Sequence, residues 1–180
     1  MTVDPAIALA GRLLGTLVFA TAVVGKVRHR HELPGVVANY RLLPDGLAVP
    51  AAWIIVALEC LVALSLVTGV GLAVGAGLAI ALLVGFALAM GINLARGRRE
   101  IDCGCFQSGL RQRLSMALVV RNLVLATFLT PLLTAVTGHP AVLQWVDGLG
   151  AGLAAYALYR VFGELVSLRH FSAELRRRFA

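Results

Sequence analysis

Residues 49–95 contain a single charged side chain, Glu59, and this apolar run limits the fold more than any other feature of the chain. As an α-helix it would be about 70 Å long at about 1.5 Å per residue. That length is enough to cross a hydrocarbon core of roughly 30 Å twice. The glycines near its middle, in Thr68-Gly69-Val70-Gly71, are typical of a turn. We therefore predict two membrane-spanning helices joined at residues 68–71.

Three further segments are also long and apolar enough to span a bilayer, which requires about 20 mostly apolar residues. They are residues 5–25, interrupted only by Arg12, residues 114–136, with Pro131 near the far end, and residues 142–162. The composition agrees, because only 14% of the residues are charged, against about 25% in a typical soluble domain. We predict an all-α, polytopic membrane bundle of about five helices over residues 1–162. A basic amphipathic tail is expected at 163–180.

The basic residues lie at the ends of the apolar runs, in loop one (residues 26–48), loop three (residues 96–113) and the tail. The segment before Arg12 and the turns at 68–71 and 137–141 contain no lysine or arginine. The positive-inside rule then predicts an outside N-terminus and an inside C-terminus. The excess of arginine over lysine is typical of high-GC bacteria, so the expected location is a bacterial inner membrane. Charges placed in this way indicate contact with anionic lipid and not with nucleic acid.

Loop three contains the sharpest chemical feature of the sequence, Ile101-Asp102-Cys103-Gly104-Cys105-Phe106. Two thiols separated by one glycine can close a small strained disulfide ring, since glycine tolerates unusual backbone angles. Strained disulfides are usually exchange-competent rather than structural. The nearby arginines favour the reactive thiolate, and the nearby carboxylates oppose it. The alternative is a pair of inert cysteines, a role that suits Cys60 within the second span better than it suits a polar loop.

A metal site is a competing interpretation of the same loop. Loop one carries His29 and His31, and the predicted topology puts them on the same side of the membrane as Cys103 and Cys105. Two thiolates and two imidazoles are suitable ligands for zinc or copper, although their spacing is not that of a standard zinc site. Our primary prediction contains no metal.

Glu59 is the second chemical feature, because it lies near the predicted midplane of the second span. A charged group at that depth is costly and normally faces a partner inside the bundle. Arg121 and Asn122 lie at a comparable depth in the fourth span, and Arg12 approaches from the other side. We expect Arg121 to be the partner, in an arrangement that either fixes helix register or serves as a proton or quinone site. Lys26 ends the first span, where a lysine normally extends towards the interface.

Glycines four residues apart put small side chains on one face of a helix, which allows neighbouring helices to approach closely. The pairs Gly71/Gly75 and Gly148/Gly152 have this spacing. We therefore expect helix packing at both pairs.

Taken together, these segments resemble the methylamine-utilisation protein MauE family, which is related to the DoxX-like membrane proteins. The resemblance covers roughly residues 10–160, and the segments that carry it are Lys26, Tyr40-Arg41-Leu42-Leu43-Pro44, Glu59, Asp102-Cys103-Gly104-Cys105-Phe106 and Arg121-Asn122. The family usually continues the cysteine segment with glycine, whereas this chain has Gln107-Ser108-Gly109.

The resemblance implies a role beside a thioredoxin-like partner in forming disulfides in exported proteins, as in the maturation of methylamine dehydrogenase. By analogy with other membrane thiol oxidoreductases, a quinone would exchange electrons with Cys103 and Cys105. That role expects the cysteines outside, whereas the charge rule puts them inside. An inverted topology, a loop that dips into the bundle, or electron transfer from a cytoplasmic donor would each resolve the conflict. Two alternatives are a non-catalytic membrane anchor for a redox partner and the metal-binding protein considered above.

Overall fold

A computed structural model describes residues 3–44, 46–98, 100–101, 103–104, 113–134 and 141–179, with side chains described as far as Leu168. Its helices are α1 (Pro5–Arg28), α2 (Leu33–Asn39), α3 (Ala48–Thr68), α4 (Leu72–Ala95), α5 (Met116–Leu129), which continues as a 3-10 turn (Thr130–Leu133), and α6 (Val142–Phe179). Within these ranges, α1, α3, α4, α5 with its 3-10 turn, and α6 as far as Leu168 are long and apolar enough to cross a membrane. The prediction of an all-α bundle with five spans is confirmed.

The ends of the spans follow from local chemistry. The carboxylate of Asp4 accepts a hydrogen bond of 2.7 Å from the backbone N–H of Ala6, which caps the start of α1. α3 ends at Gly69, whose φ of +78° is left-handed, and α4 begins after Gly71 at φ +60°. The predicted turn at 68–71 therefore lies where expected, because glycine reaches these angles without the clash of a Cβ atom.

The described part of the fourth span, Met116–Leu133, begins two residues after the predicted start at residue 114. Its α-helix begins at Met116 and changes at Thr130 to a 3-10 turn that ends at Leu133. Pro131 lies in the first turn of that 3-10 segment and has no N–H to continue the α-helical pattern. Residues 135–140, which include the end of the predicted span, lie outside the described residues.

α1 lies at the centre of the bundle and packs closely against α6. A Cβ atom at Gly148 would lie 2.9 Å from the carbonyl oxygen of Ala6, and one at Gly152 would lie 3.0 Å from that of Ala10. Since both contacts advance by four residues, α1 and α6 run parallel. The packing role predicted for Gly148 and Gly152 is therefore observed.

The other glycine pair has two separate roles. A Cβ atom at Gly75 would collide with the side chain of Ser65, so this glycine allows α3 and α4 to approach. Gly71 would meet nothing within 4 Å, and its positive φ shows that it serves the turn. The expectation of helix packing at Gly71 is wrong, because the sequence spacing cannot distinguish a turn glycine from a packing glycine.

Loops one and three meet at one end of the bundle. The Tyr40 hydroxyl donates a hydrogen bond of 3.1 Å to the carbonyl oxygen of Cys103. The guanidinium of Arg96 donates one of 3.4 Å to the carbonyl oxygen of Arg41. These contacts put α2 at the same end of the bundle as the cysteine segment. This is expected, because loops one and three are separated by two spans, α3 and α4.

A polar cavity as the candidate functional site

Glu59 forms a buried ion pair with Lys26. The Nζ atom of Lys26 lies 2.8 Å from Oε1 of Glu59, and the side chains are 8% and 1% exposed. Glu59 thus has an ion-pair partner in Lys26 that the depth estimate did not consider, and a contact with Arg121, which that estimate favoured, stays a prediction. That estimate compared backbone positions only, and Lys26 lies close to the end of α1 at Arg28. Its flexible four-carbon stem carries the ammonium group into the bundle instead of out to the interface.

Arg121 and Asn122 lie on α5 and are both buried, at 8% and 5% exposure. The guanidinium carbon of Arg121 lies 4.9 Å from the centre of the Tyr159 ring on α6. The Lys26 ammonium lies 5.7 Å from the centre of the Phe86 ring on α4. Each cation therefore has an aromatic face beside it, an arrangement that is favourable where water is absent. The sequence did not single out Phe86 or Tyr159, because an aromatic residue in an apolar span has no distinguishing pattern.

One cavity of about 280 Å³ joins these groups. Most of its wall is apolar, and the wall also includes five of the residues that the sequence selected: Lys26, Glu59, Cys103, Arg121 and Asn122. Those residues come from α1, α3, loop three and α5. The tertiary structure thus assembles into one site the features that the sequence could only list separately.

Cys103 is half-buried at this cavity, and Gly104 follows it in the wall. Gly104 has a φ of +73°, and a Cβ atom there would lie 3.0 Å from Cγ1 of Val36 on α2. The backbone between the two cysteines is therefore left-handed, as expected for the central residue of a Cys-Gly-Cys segment. Cys105 lies outside the described residues, so its pairing with Cys103 stays a prediction.

A small polar network fixes the loop beside Cys103. Arg98 donates a hydrogen bond of 3.0 Å to Oδ1 of Asn93, which is fully buried on α4, and one of 3.4 Å to the carbonyl oxygen of Tyr40. Tyr40 in turn binds the carbonyl oxygen of Cys103. Arginines near the cysteines were expected to favour a thiolate, and the contacts of Arg98, which is one of them, hold loop one against loop three. Asn93 was missed because one asparagine near a helix end looks like an ordinary interfacial residue.

Arg12 does not approach Glu59. Its guanidinium group donates hydrogen bonds of 3.0 Å and 3.2 Å to the carbonyl oxygens of Leu66 and Val67. These carbonyl groups end α3 and have no partner within that helix. Arg12 therefore serves as a side-chain cap at the opposite end of the bundle.

The residues proposed as alternative metal ligands are not gathered in the part of the chain that the structure describes. His29 and His31 are exposed, and Nδ1 of His29 lies 3.0 Å from the carbonyl oxygen of Gly25. Among the described residues, no group of three or more His, Cys, Asp or Glu side chains could hold a metal ion. Cys60 is half-buried and packs beside the small cluster of Leu33, Ala52 and Val56, which fits the role of a small apolar residue.

The fold and the site define an integral, multi-pass membrane protein with a buried polar centre. The family model for the methylamine utilisation protein MauE matches residues 4–137. The methylamine utilisation protein MauE of Paracoccus denitrificans is 42% identical over 162 residues, which cover 87% of this chain and 86% of that protein. The protein of the same name from Methylorubrum extorquens is 38% identical, over 89% of this chain and 86% of that protein. The one from Paracoccus versutus is 39% identical, over 96% of this chain and 88% of that protein. This chain therefore belongs to the MauE family, whose members take part in methylamine utilisation. No solved structure matches it.

Proposed function

We propose that this protein is a membrane thiol–disulfide redox protein in which Cys103 and Cys105 form the exchanging pair. The observation that carries the proposal is the position of Cys103, which lines the same cavity as Lys26, Glu59 and Arg121. An inert cysteine does not need buried charges beside it, and buried charges in a membrane usually mark a functional site. On this proposal the methylamine-utilisation role is to support disulfide formation, with methylamine dehydrogenase as one client.

The proposed chemistry is thiol–disulfide exchange with a thioredoxin-like partner. A thiolate of the pair attacks a disulfide sulfur of the partner and forms a mixed disulfide, and the second thiolate then releases the partner as a dithiol. The reverse direction passes the disulfide from this protein to its partner. Cys103 is only half-buried, so it is more accessible to a soluble partner than a cysteine enclosed in the bundle.

The charge distribution leads us to propose that loops one and three face the cytoplasm, with the N-terminus outside. The lining of the cavity supports a loop that turns into the bundle, because Cys103 and Gly104 belong to the same wall as Glu59. Labelling of intact cells with a membrane-impermeant maleimide tests this orientation after Cys60 has been replaced by alanine. Labelling of Cys103 and Cys105 only after the cells are permeabilised is the expected result.

Trapping of the mixed disulfide tests the exchange itself. A Cys105→Ser variant retains the Cys103 thiol and lacks the neighbour that would resolve the intermediate, so it should accumulate a disulfide-linked complex with a thioredoxin-like protein. Cys103→Ser and the double variant should not accumulate the complex, and Cys60→Ser is the matched control that should behave like the wild type. If both loop cysteines can be replaced without loss of methylamine dehydrogenase maturation, the redox role is wrong. Continued co-purification with a partner would then favour the non-catalytic anchor.

A further inference from the structure

Exposed arginines give the cysteine end of the bundle an excess of positive charge. They are Arg28, Arg30, Arg41 and Arg96, here called the docking arginines. None of them forms an ion pair within the part of the chain that the structure describes. Of the exposed carboxylates described in loops one and three, Glu100 pairs with Arg113, and Glu32 forms no ion pair. The described surface is therefore suited to a partner that carries negative charge.

Arg41 keeps its place on this surface at a cost in backbone energy. Its φ of +48° is left-handed, and within the described ranges no other residue except glycine has a positive φ. Such a conformation costs about 1–3 kcal/mol and persists where the surrounding structure imposes it. The carbonyl oxygen of Arg41 accepts the 3.4 Å hydrogen bond from Arg96. The preceding residue, Tyr40, binds the carbonyl oxygen of Cys103 through its hydroxyl group. Two exposed arginines are thus connected to the segment that holds the thiol.

We propose that the docking arginines bind a soluble protein that carries acidic side chains around its reactive disulfide. The proposal rests on the proposed function, since exchange requires that a disulfide of the partner reach the Cys103 sulfur. It adds the charge of the partner's surface, which the cysteine motif does not specify. Complementary charge raises association rates by about 10- to 1,000-fold and fixes the orientation in which two proteins meet.

Anionic lipid is the alternative occupant of such a surface. A topology signal needs cations near the ends of the spans, and it does not require that they be connected to a thiol. Arg41 and Arg96 belong to the hydrogen-bonded loops that hold Cys103. Leu42 and Leu43 follow directly, are 39% and 46% exposed, and share the cavity wall with Cys103. An apolar patch beside charged residues, with arginine enriched, is the usual composition of a protein interface. These observations favour a protein over lipid.

Activated peptides of different charge test the surface of the full-length protein in phosphatidylcholine nanodiscs. Each peptide has one cysteine among several glutamates, glutamines or lysines, joined by a disulfide to thionitrobenzoate. In a Cys60→Ser, Cys105→Ser chain, the Cys103 thiolate forms an S–S bond with the peptide, and the coloured thionitrobenzoate leaves as a thiolate. In low salt the glutamate peptide should react about tenfold faster than the glutamine peptide, and the lysine peptide more slowly than either. In about 1 M salt the difference should nearly disappear, because the charges are screened beyond about 3 Å.

Single charge changes show which residues produce the preference, measured as the ratio of the glutamate rate to the glutamine rate. Arg41→Gln and Arg96→Gln should each lower this ratio about two- to fivefold, the range of an exposed charge pair. Arg41→Lys keeps the charge and should restore the ratio, which separates charge from loop structure. Glu32→Gln should raise the ratio. Asp147→Asn is its matched control and should leave the ratio unchanged. It makes the same change in net charge at an exposed position near the start of α6, at the opposite end of the bundle.

A second reporter makes the test independent of the loop cysteines. Ala38→Cys, in a chain whose native cysteines are all serine, puts a thiol at an exposed position of α2. The carbonyl oxygen of residue 38 accepts a hydrogen bond of 3.0 Å from the backbone N–H of Arg41. A glutamate preference at this reporter without reaction at Cys103 would support the docking surface and contradict the exchange. Equal rates at both reporters, together with a trapped mixed disulfide, would leave the exchange standing and overturn the docking surface.

Native mass spectrometry with phosphatidylglycerol tests the lipid alternative. We expect the wild type and the Arg41→Gln, Arg96→Gln double variant to retain this lipid equally, with the full glutamate preference in the wild type alone. Loss of bound phosphatidylglycerol in the double variant, together with peptide rates that do not depend on charge, would assign the surface to lipid and show that the proposal is wrong.

Discussion

Replacement of Lys26 by methionine tests the buried ion pair. The separation of 2.8 Å corresponds to an attraction of about 6 kcal/mol at an effective dielectric constant of about 20. Removal of both ions from water opposes most of this attraction, so the intact pair contributes little net stability. Loss of one partner is different, because the remaining charge stays buried. Since Glu59 is only 1% exposed, we expect Lys26→Met to lower the free energy of unfolding by about 3–5 kcal/mol.

The reverse variant, Glu59→Met, should be milder. Lys26 lies near the end of α1, and its stem can swing the ammonium group towards the interface once the carboxylate is gone. The Glu59 carboxylate cannot reach the interface in this way, because the residue lies eleven residues after Ala48, about 16 Å along the axis of α3. The double variant replaces both ions with apolar groups of similar length, so it should recover most of the loss. The expected order of stability is therefore the wild type and the double variant, then Glu59→Met, then Lys26→Met.

The assay is equilibrium unfolding in mixed micelles with an increasing fraction of sodium dodecyl sulfate, followed by far-ultraviolet circular dichroism. Arg28→Met is the matched control, because it removes an exposed cation from the last turn of α1 and should change stability by less than about 0.5 kcal/mol. A Lys26→Met variant within about 1 kcal/mol of the wild type, or a double variant no more stable than Lys26→Met, would refute the reasoning. In the first case an unpaired carboxylate at Glu59 would carry no large cost, and in the second the two residues would not act as a unit.

Three other predictions test the packing and the loop. Gly152→Leu should destabilise the protein by about 1–3 kcal/mol in the same assay, since its Cβ atom would lie 3.0 Å from a backbone carbonyl oxygen of α1. Gly150→Leu is the control and should have little effect, because a Cβ atom there would meet nothing within 4 Å. Tyr40→Phe removes the hydrogen bond to the carbonyl oxygen of Cys103. In a chain without Cys60, the loss of about 1 kcal/mol should raise the alkylation rate of Cys103 about fivefold. An unchanged rate would show that this bond does not restrain the loop. Arg12→Leu should cost about 1.5–3 kcal/mol in unfolding free energy, because its charged group donates to two carbonyl oxygens at the end of α3, and a cost below about 0.5 kcal/mol would contradict the capping role.

The sequence alone was sufficient to predict that the chain lies in a lipid bilayer, that it is all-α, and approximately where every span lies. These properties depend on the local density of apolar residues and on the positions of glycine and proline. Both can be read from residues that are neighbours in the sequence. The turn at 68–71 could be located in this way because Gly69 and Gly71 lie close together near the middle of an apolar run that is long enough for two spans. The cysteine segment could also be selected, since its chemistry is contained in three consecutive residues.

Only the tertiary structure decided which polar groups meet. The ion pair of Glu59 with Lys26 depends on helix rotation and on the reach of a side chain, and residue counts along an axis specify neither. For the same reason Arg12 was assigned to the wrong neighbourhood, and Asn93, Phe86 and Tyr159 were not selected at all. The shared cavity follows from the approach of α1, α3, α4 and α5 to one another, and that approach is a property of packing rather than of any segment.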